Sequence, residues 1–323
     1  MADKIKTIGV LTSGGDAPGM NAAIRAVVRT AIDKGMAVKG ILKGYNGLLN
    51  GDIIDLTTRS VSDCIQRGGT ILYTARCIEF TTLEGQIKGA QTCREHGIEG
   101  LVVIGGDGSF RGAEKLFQQG INTIGVPGTI DLDIACTDYT IGFDTALNTV
   151  VEAIDKLRDT SSSHHRCSVV EVMGNHCGDL ALYSAISCGA EIVITPETGF
   201  DEADVLERLK YLDATLKKNH AIVIVSEKIT DVDSLARKIS THTSFAGRST
   251  ILGHVQRGGS PTASDRVLAS RMAEKAVDLL VKGKGGMCVG IVNNEIVATP
   301  IEEALSQARK SRKHLYRLFD RLV

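Results

Sequence analysis

Between Leu101 and Asp133 the chain twice runs from an apolar, strand-like stretch into a loop of small and acidic residues. Leu101-Val102-Val103-Ile104 opens into Gly105-Gly106-Asp107-Gly108-Ser109, and Ile121-Asn122-Thr123-Ile124-Gly125-Val126 opens into Pro127-Gly128-Thr129-Ile130-Asp131-Leu132-Asp133. Neighbouring loops at the carboxyl ends of parallel strands are where open α/β sheets bind ligands. The first loop offers glycines and an acid, the second a hydroxyl and two acids at i and i+2. That combination suits phosphoryl transfer assisted by a metal ion.

The rest of the chain repeats the same alternation. Strand-like runs are expected at Ile8–Thr12, Val38–Leu42, Val169–Val172, Glu191–Thr195, Ala221–Val225, Thr250–Leu252 and Val289–Val292. Helical periodicity is expected at Asn21–Lys34, Thr145–Asp159, Asp179–Ser187, Glu202–Lys217, Asp231–Thr241 and Ser264–Val281, and the tail from Ile301 reads as helical and basic. Repeated βα units imply a doubly wound, mostly parallel sheet. At 323 residues the chain has room for two domains, although no Pro-, Gly- or Ser-rich linker marks a division.

Composition excludes several classes. With a formal net charge of -1, the chain has no bulk attraction for nucleic acid or an anionic membrane. No apolar run reaches the length of a membrane span, and the segment after Met1 is too short for a signal-peptide core, so a cytoplasmic location is expected. Eight cysteines at 64, 77, 93, 136, 167, 177, 188 and 288 lack metal-site spacing and read as reduced, mostly buried thiols. The 35 glycines against 5 prolines point to tight loops where backbone approaches a ligand.

Individual positions then acquire roles. Gly14-Gly15-Asp16-Ala17-Pro18-Gly19 sits between a strand and a helix, where backbone N–H groups can meet a phosphate; Asp16 stands where a dinucleotide fingerprint needs its second glycine. The same stretch is also compatible with a plain tight turn. Gly106 and Gly108 let backbone approach a polyphosphate, Asp107 can hold Mg²⁺, and Ser109 is placed to cap the next helix. Thr129, Asp131 and Asp133 supply what an acceptor hydroxyl needs: a neighbouring carboxylate as general base and a second one for the metal. Arg166, Arg248, His254 and Arg257 are candidate phosphate grips.

Four motifs in order resemble bacterial ATP-dependent 6-phosphofructokinases: Gly-Gly-Asp-Gly-Ser, Pro-Gly-Thr-Ile-Asp, Met173-Gly174 ahead of Cys177-Gly178-Asp179, and Gly253-His254-Val255-Gln256-Arg257-Gly258-Gly259-Ser260-Pro261. The resemblance spans nearly the whole chain. It implies an α/β fold of two similar three-layer domains with mostly parallel sheets, the larger, ATP-binding one from 1–142 plus about 256–306, the smaller, sugar-phosphate-binding one from about 143–255 plus 307–323. The implied reaction takes ATP and fructose 6-phosphate to ADP and fructose 1,6-bisphosphate, with the site in the interdomain cleft. Asp131 would then be the base and Thr129 a contact to the transferring phosphoryl, with Asp107 and Asp133 near Mg²⁺. Gly15, Tyr45, Arg76, Cys77, Gly106, Asp107, Gly108 and Ser109 match positions around ATP, Arg76 reaching the transferring phosphoryl. Met173, Gly174, Asn175, Glu227, His254 and Arg257 match sugar-phosphate contacts; Arg166 and Arg248 match arginines from a neighbouring subunit of a homotetramer. Arg25, Arg29, Arg158, Glu191, Lys217 and Lys218 match an effector site for ADP or phosphoenolpyruvate.

The chain departs from the family pattern at three places. Leu132 stands for a usual Asn, Asn175 for the Arg of Met-Gly-Arg, and Ile78 for a Pro after Arg76-Cys77. Glycines at 108 and 128, where pyrophosphate-dependent relatives carry Asp and Lys, favour ATP as donor. The departures leave open a weakened paralogue that senses phosphorylated ligands or partners another subunit. A kinase of a related sugar such as tagatose 6-phosphate is also open.

Overall fold

The computed structural model describes residues 5–323. In chain order its elements are β1 (Thr7–Thr12), α1 (Met20–Asp33), β2 (Ala37–Ile41), α2 (Gly44–Asn50), β3 (Ile53–Leu56), α3 (Leu83–Glu95), β4 (Gly100–Gly105), α4 (Asp107–Gln118), β5 (Asn122–Pro127), α5 (Phe143–Ser163) and β6 (Arg166–Val172). They continue with α6 (Asp179–Cys188), β7 (Ile192–Ile194), α7 (Glu202–Ala214), β8 (Ala221–Ser226), α8 (Val232–His242), β9 (Ala246–Ile251), α9 (Ala263–Val281), β10 (Met287–Val292), β11 (Glu295–Pro300), α10 (Ile301–Ser306) and α11 (Lys313–Leu322). They form two compact units, one from 1–145 and 257–310, the other from 146–256 and 311–323.

The first unit carries a seven-stranded sheet in the order β11-β10-β5-β4-β1-β2-β3. Its interior pairs are parallel, and antiparallel strands β11 and β3 close the two edges. The register sets Val10 opposite Val102 and Val102 opposite Ile124. Each of these valines and isoleucines is fully buried, as strands covered on both faces require. Helix α1 buries Met20, Ala23, Ile24, Val27, Val28 and Ala31, spaced at helical intervals, and turns Arg25 and Arg29 away from that stripe. Its N-cap Gly19 has φ 105°, and a Cβ there would lie 2.7 Å from the Ile141 side chain; only glycine fits this entry to the helix.

The second unit holds a parallel four-stranded sheet ordered β7-β8-β6-β9. One face packs Val169, Val223 and Val225 against Leu209, Leu235 and Ile239. The other packs Val170, Ile222 and Ile224 against Ile154, Ala181 and Phe319. The C-terminal α11 is fastened to this unit: Arg312 Nε donates to Asp179 at 3.0 Å, and the Tyr316 hydroxyl meets Thr195 Oγ1 at 2.7 Å. Cys177, Asp179 and Glu197 place ligand-type atoms within 4.8 Å of one another. The Arg312 bond and the Gly178 N–H that Glu197 accepts give this cluster the form of a helix clamp.

Several elements differ from the sequence expectation. Helices α2 and α3 and edge strands β3 and β11 had not been expected, and the tail is two helices separated at 307–312. Helix α4 begins at Asp107, inside the expected glycine loop. Its N-cap is Gly106 and no side chain caps it, so Ser109 lies in the first turn instead of capping.

One buried residue outside every motif fixes the chain after the acidic loop. Asp265 in α9, 1% exposed, accepts from Gly142 N at 2.9 Å, from Thr145 N at 2.8 Å and from the Thr145 hydroxyl. Burial pushes its carboxyl upward, while these hydrogen bonds pull it back down. Replacing Asp265 with Ala strands buried donors that each cost about 1–3 kcal/mol. Asp265→Ala is expected to lose about 3 kcal/mol or more, read as a lower midpoint in urea unfolding. At Ile78, φ is -69° and the side chain is 84% exposed. Proline already suits that φ, so Ile78→Pro should raise stability by about 0.4–1 kcal/mol, measured in the same unfolding experiment.

Candidate active site

The order β5-β4-β1 puts three carboxyl-end loops side by side. Backbone hydrogen bonds join them: Ser13 N–H donates to Ile104 C=O at 2.9 Å and Gly128 N–H to Gly105 C=O at 3.0 Å. The approach is close. A Cβ on Gly105 would lie 2.4 Å from the Ser13 carbonyl oxygen and 2.5 Å from Ser109 Oγ. A Cβ on Gly106 would sit 3.8 Å from Thr129 Cβ. Gly15, Gly106, Asp107, Gly108, Ser109, Thr129, Asp131 and Asp133 are thereby brought into one neighbourhood within the first unit.

Supporting residues hold this neighbourhood from behind. Tyr45 is buried, stacks on Phe80 at 4.2 Å and donates its hydroxyl to the Ser109 carbonyl at 2.6 Å. Burial pushes its phenol well above the usual range, so it remains a donor. Tyr45 therefore lies under the first turn of α4. The segment bearing Arg76 and Cys77 is tied to the end of β1, because Thr74 Oγ1 donates to Gly14 C=O at 2.7 Å and Thr12 Oγ1 to Tyr73 C=O at 2.9 Å. Arg76 is exposed, and Cys77 packs partly against the core. Arg257 lies against the Gly14–Asp16 turn: Nη1 donates to Asp16 C=O at 3.3 Å, and a Gly15 Cβ would be 2.5 Å from that nitrogen.

In the acidic loop, Thr129 and Asp131 are each 7% exposed. Asp131 N–H donates to Thr129 Oγ1 at 3.1 Å, and the Thr140 hydroxyl holds Thr129 C=O at 2.6 Å. Leu132 between the acids is buried and has φ 53°, a left-handed conformation costing a non-glycine residue about 1–2 kcal/mol. Asp133 Oδ1 is buried with no hydrogen-bond partner among the described residues. Burial, followed by the nearby Asp107 charge, pushes its carboxyl above the usual range, against its backbone hydrogen bond and a weaker pull from Arg309. Asp107 is bonded to Arg111 at 3.0 Å, one helical turn on. A cation would satisfy the orphaned oxygen and relieve the repulsion between the two acids, so Asp107 and Asp133 fit a hard divalent metal.

In the second unit the loops at the carboxyl ends of β6 and β8 form another set. Glu227 Oε1 accepts from Gly174 N at 3.2 Å and Asn175 N at 2.7 Å, and Met173 N donates to Gln256 Oε1 at 3.1 Å. Sequence reading had not singled out Gln256 for this task or Lys228, whose ammonium meets Asn175 Oδ1 at 2.8 Å. His254 is exposed in the loop after β9. Arg166 opens β6 at the opposite strand end and bonds Thr160 Oγ1 at 3.0 Å, while Arg248 lies within β9. Neither gathers with Met173, Gly174, Asn175 and Glu227 in this chain.

The residues expected around an effector are also sorted. Arg158 meets His220 Nε2 at 3.1 Å and Gly189 C=O at 3.1 Å, and Lys218 pairs with Glu191 at 2.8 Å. Burial, then the Arg158 charge, holds the His220 imidazole below its usual range. Lys217 is exposed at φ 54°. Arg25 and Arg29 belong to the other unit, on α1.

Known proteins match this chain along nearly its whole length. The family model described as Phosphofructokinase matches residues 7–280. A Clostridium botulinum protein named ATP-dependent 6-phosphofructokinase is 58% identical over 313 residues, 97% of this chain and 98% of that protein. One of the same name from Clostridium acetobutylicum is also 58% identical over the same shares. The phosphofructokinase structure from Saccharomyces cerevisiae superposes with a TM-score of 0.85 at 36% identity. That match covers 93% of this chain and 45% of the yeast chain, so the chain spans less than half of the yeast protein. A crystal structure of Pichia pastoris phosphofructokinase in the T-state gives 0.89 at 33% identity, covering all of this chain and 40% of that one. This chain belongs to the phosphofructokinase family.

Proposed function

We propose that this chain transfers the terminal phosphoryl of Mg-ATP to the 1-hydroxyl of fructose 6-phosphate, giving ADP and fructose 1,6-bisphosphate. The observation that carries the reading is the buried Thr129-Ile130-Asp131 turn, hydrogen-bonded to itself and joined by backbone to the glycine loop of β4. Such a transfer is achieved by positioning and charge stabilisation, with a base to take the hydroxyl proton. Asp131 takes that proton. Its burial and its backbone bond to Thr129 hold the carboxylate in one place, and Thr129 offers its hydroxyl to the phosphoryl oxygens. Backbone at Gly15, Gly106, Gly108 and Ser109 receives the nucleotide phosphates, with Tyr45 supporting Ser109 from below. Arg76 and Cys77 border the nucleotide. Asp107 and Asp133 would hold Mg²⁺, which would supply charge neutralisation of the phosphates.

Met173, Gly174, Asn175, Glu227, His254 and Arg257 bind the sugar phosphate, and Arg166 and Arg248 serve the site of a neighbouring subunit in a homotetramer. Arg25, Arg29, Arg158, Glu191, Lys217 and Lys218 belong to an effector site for ADP or phosphoenolpyruvate; of these, Arg158, Glu191 and Lys218 are drawn together in the second unit by the Arg158–His220 and Lys218–Glu191 contacts. The setting is the cytoplasm; no helix among the described residues is long and apolar enough to cross a membrane.

Two substitutions test the reading in a coupled assay with Mg-ATP and fructose 6-phosphate. Asp131→Asn should lower kcat by roughly 10²–10⁴-fold, the usual worth of a general base, with the fructose 6-phosphate KM little changed. Near-parental turnover would remove Asp131 from that role. Donor choice is tested at Gly108, where a Cβ meets nothing within 4 Å, so a side chain there is tolerated by the fold. Gly108→Asp places a carboxylate against the nucleotide phosphates and should abolish ATP-dependent turnover while the protein stays folded. Undiminished ATP use in that variant would refute the steric and charge argument.

A further inference from the structure

We propose that the Lys228 ammonium, seated by the Asn175 amide, is a contact for the anionic sugar phosphate. The inference rests on reading the Met173–Asn175 loop and Glu227 as the sugar-phosphate site. Lys228 lies at the carboxyl end of β8 and Asn175 at that of β6, neighbouring parallel strands whose loops adjoin. Glu227 N–H continues the pairing by donating to Val172 C=O at 2.8 Å.

Both residues are held in costly backbone conformations. Asn175 has φ 57° and Lys228 φ 68°. Asparagine tolerates the left-handed region, but lysine rarely adopts it. Strain of this kind persists where surrounding contacts over-determine it, and it concentrates at ligand sites. Here the contacts are identifiable: Glu227 Oε1 takes the Gly174 and Asn175 N–H groups, and Asn175 Oδ1 takes the Lys228 ammonium at 2.8 Å.

The polarity of the arrangement follows. The lysine points its charge at an amide oxygen, which fixes Asn175 Nδ2 as the donor end. An ammonium has three donors and Asn175 accepts one of them. Lys228 Nζ and Asn175 Nδ2 together therefore present N–H donors beside backbone that the Glu227 carboxylate has already ordered. Lys228 is exposed, and its ammonium offsets the neighbouring Glu227 carboxylate while keeping N–H donors that suit a phosphoryl oxygen.

The test compares the parent chain with Lys228→Met, Lys228→Arg, Asn175→Ala and the Asn175→Ala/Lys228→Met pair, with thermal melting to confirm folding. Fructose 6-phosphate KM is read at saturating Mg-ATP. Losing one charge-assisted contact should raise it roughly tenfold in Lys228→Met, with the ATP KM unchanged. Lys228→Arg should recover most of the loss. Asn175→Ala should also raise the KM, and the pair should raise it by less than the product of the two single effects, because the two residues are in contact. A fructose 6-phosphate KM in Lys228→Met equal to the parent's overturns the proposal. Calorimetry with fructose 1,6-bisphosphate reads the same contact without turnover. A parent that binds this sugar phosphate without catalysing would sink the kinase reading alone; weaker binding by Lys228→Met would still support the contact, and equal binding would overturn it. A parent that binds no sugar phosphate overturns both.

Discussion

The backbone bond from Gly128 N–H to Gly105 C=O carries the pairing of β4 and β5 past the ends of the strands and into the loops. Ser13 N–H to Ile104 C=O does the same between β1 and β4. Most sheets diverge into separate loops at this point. Here three loops remain at main-chain contact distance, which is possible only because Gly105 has no Cβ to meet the Ser13 carbonyl at 2.4 Å. Thr129 and Asp131 depend on that approach. Asp131 is placed by Thr129, Thr129 by Thr140 and by the β5 exit, and that exit is fixed on Gly105.

Electrostatics then favours a charged guest. Asp133 has a buried carboxylate oxygen without a hydrogen-bond partner among the described residues and a carboxyl displaced upward chiefly by burial. Removing such a group from water is tolerated when a ligand restores its solvation. The neighbouring Asp107 pairs with the exposed Arg111 one turn away, a pairing of modest worth. A cation beside the loop would relieve both the burial of Asp133 and the repulsion from Asp107. A site that binds a metal with its nucleotide gains affinity from such relief.

Sequence reading reached the parallel strands well, because β4 and β5 are buried on both faces and β4 is written as an unbroken apolar run, β5 as a largely apolar one. It reached the loop residues for the same reason, since they follow those strands directly. It missed β11, a half-exposed edge strand whose partner is β10 in antiparallel register. It also missed α3, whose two glycines and weak apolar stripe blur the helical period. Asp265 was illegible in principle: its donors lie about 120 positions earlier, at Gly142 and Thr145. Gln256 and Lys228 escaped for the same reason, because their partners Met173 and Asn175 are neighbours only after the strands pair.

The departures from the family pattern are consistent when viewed as backbone first and side chain second. Ile78 keeps a φ that proline would impose. Leu132 keeps a left-handed φ that asparagine adopts more readily. Its burial stabilises the loop by packing, where an amide would have done so by hydrogen bonding. Asn175 also sits left-handed and recruits the lysine of an adjoining loop. At Ile78 and Leu132 the backbone conformation is one that the usual residue would also adopt, and the chemistry of the side chain is what differs. Backbone geometry is the stiffer constraint here, because shifting one loop by an ångström would break the ladder bonds that place Asp131, whereas a lost amide or guanidinium can be replaced by packing or by a cation from a neighbouring strand end.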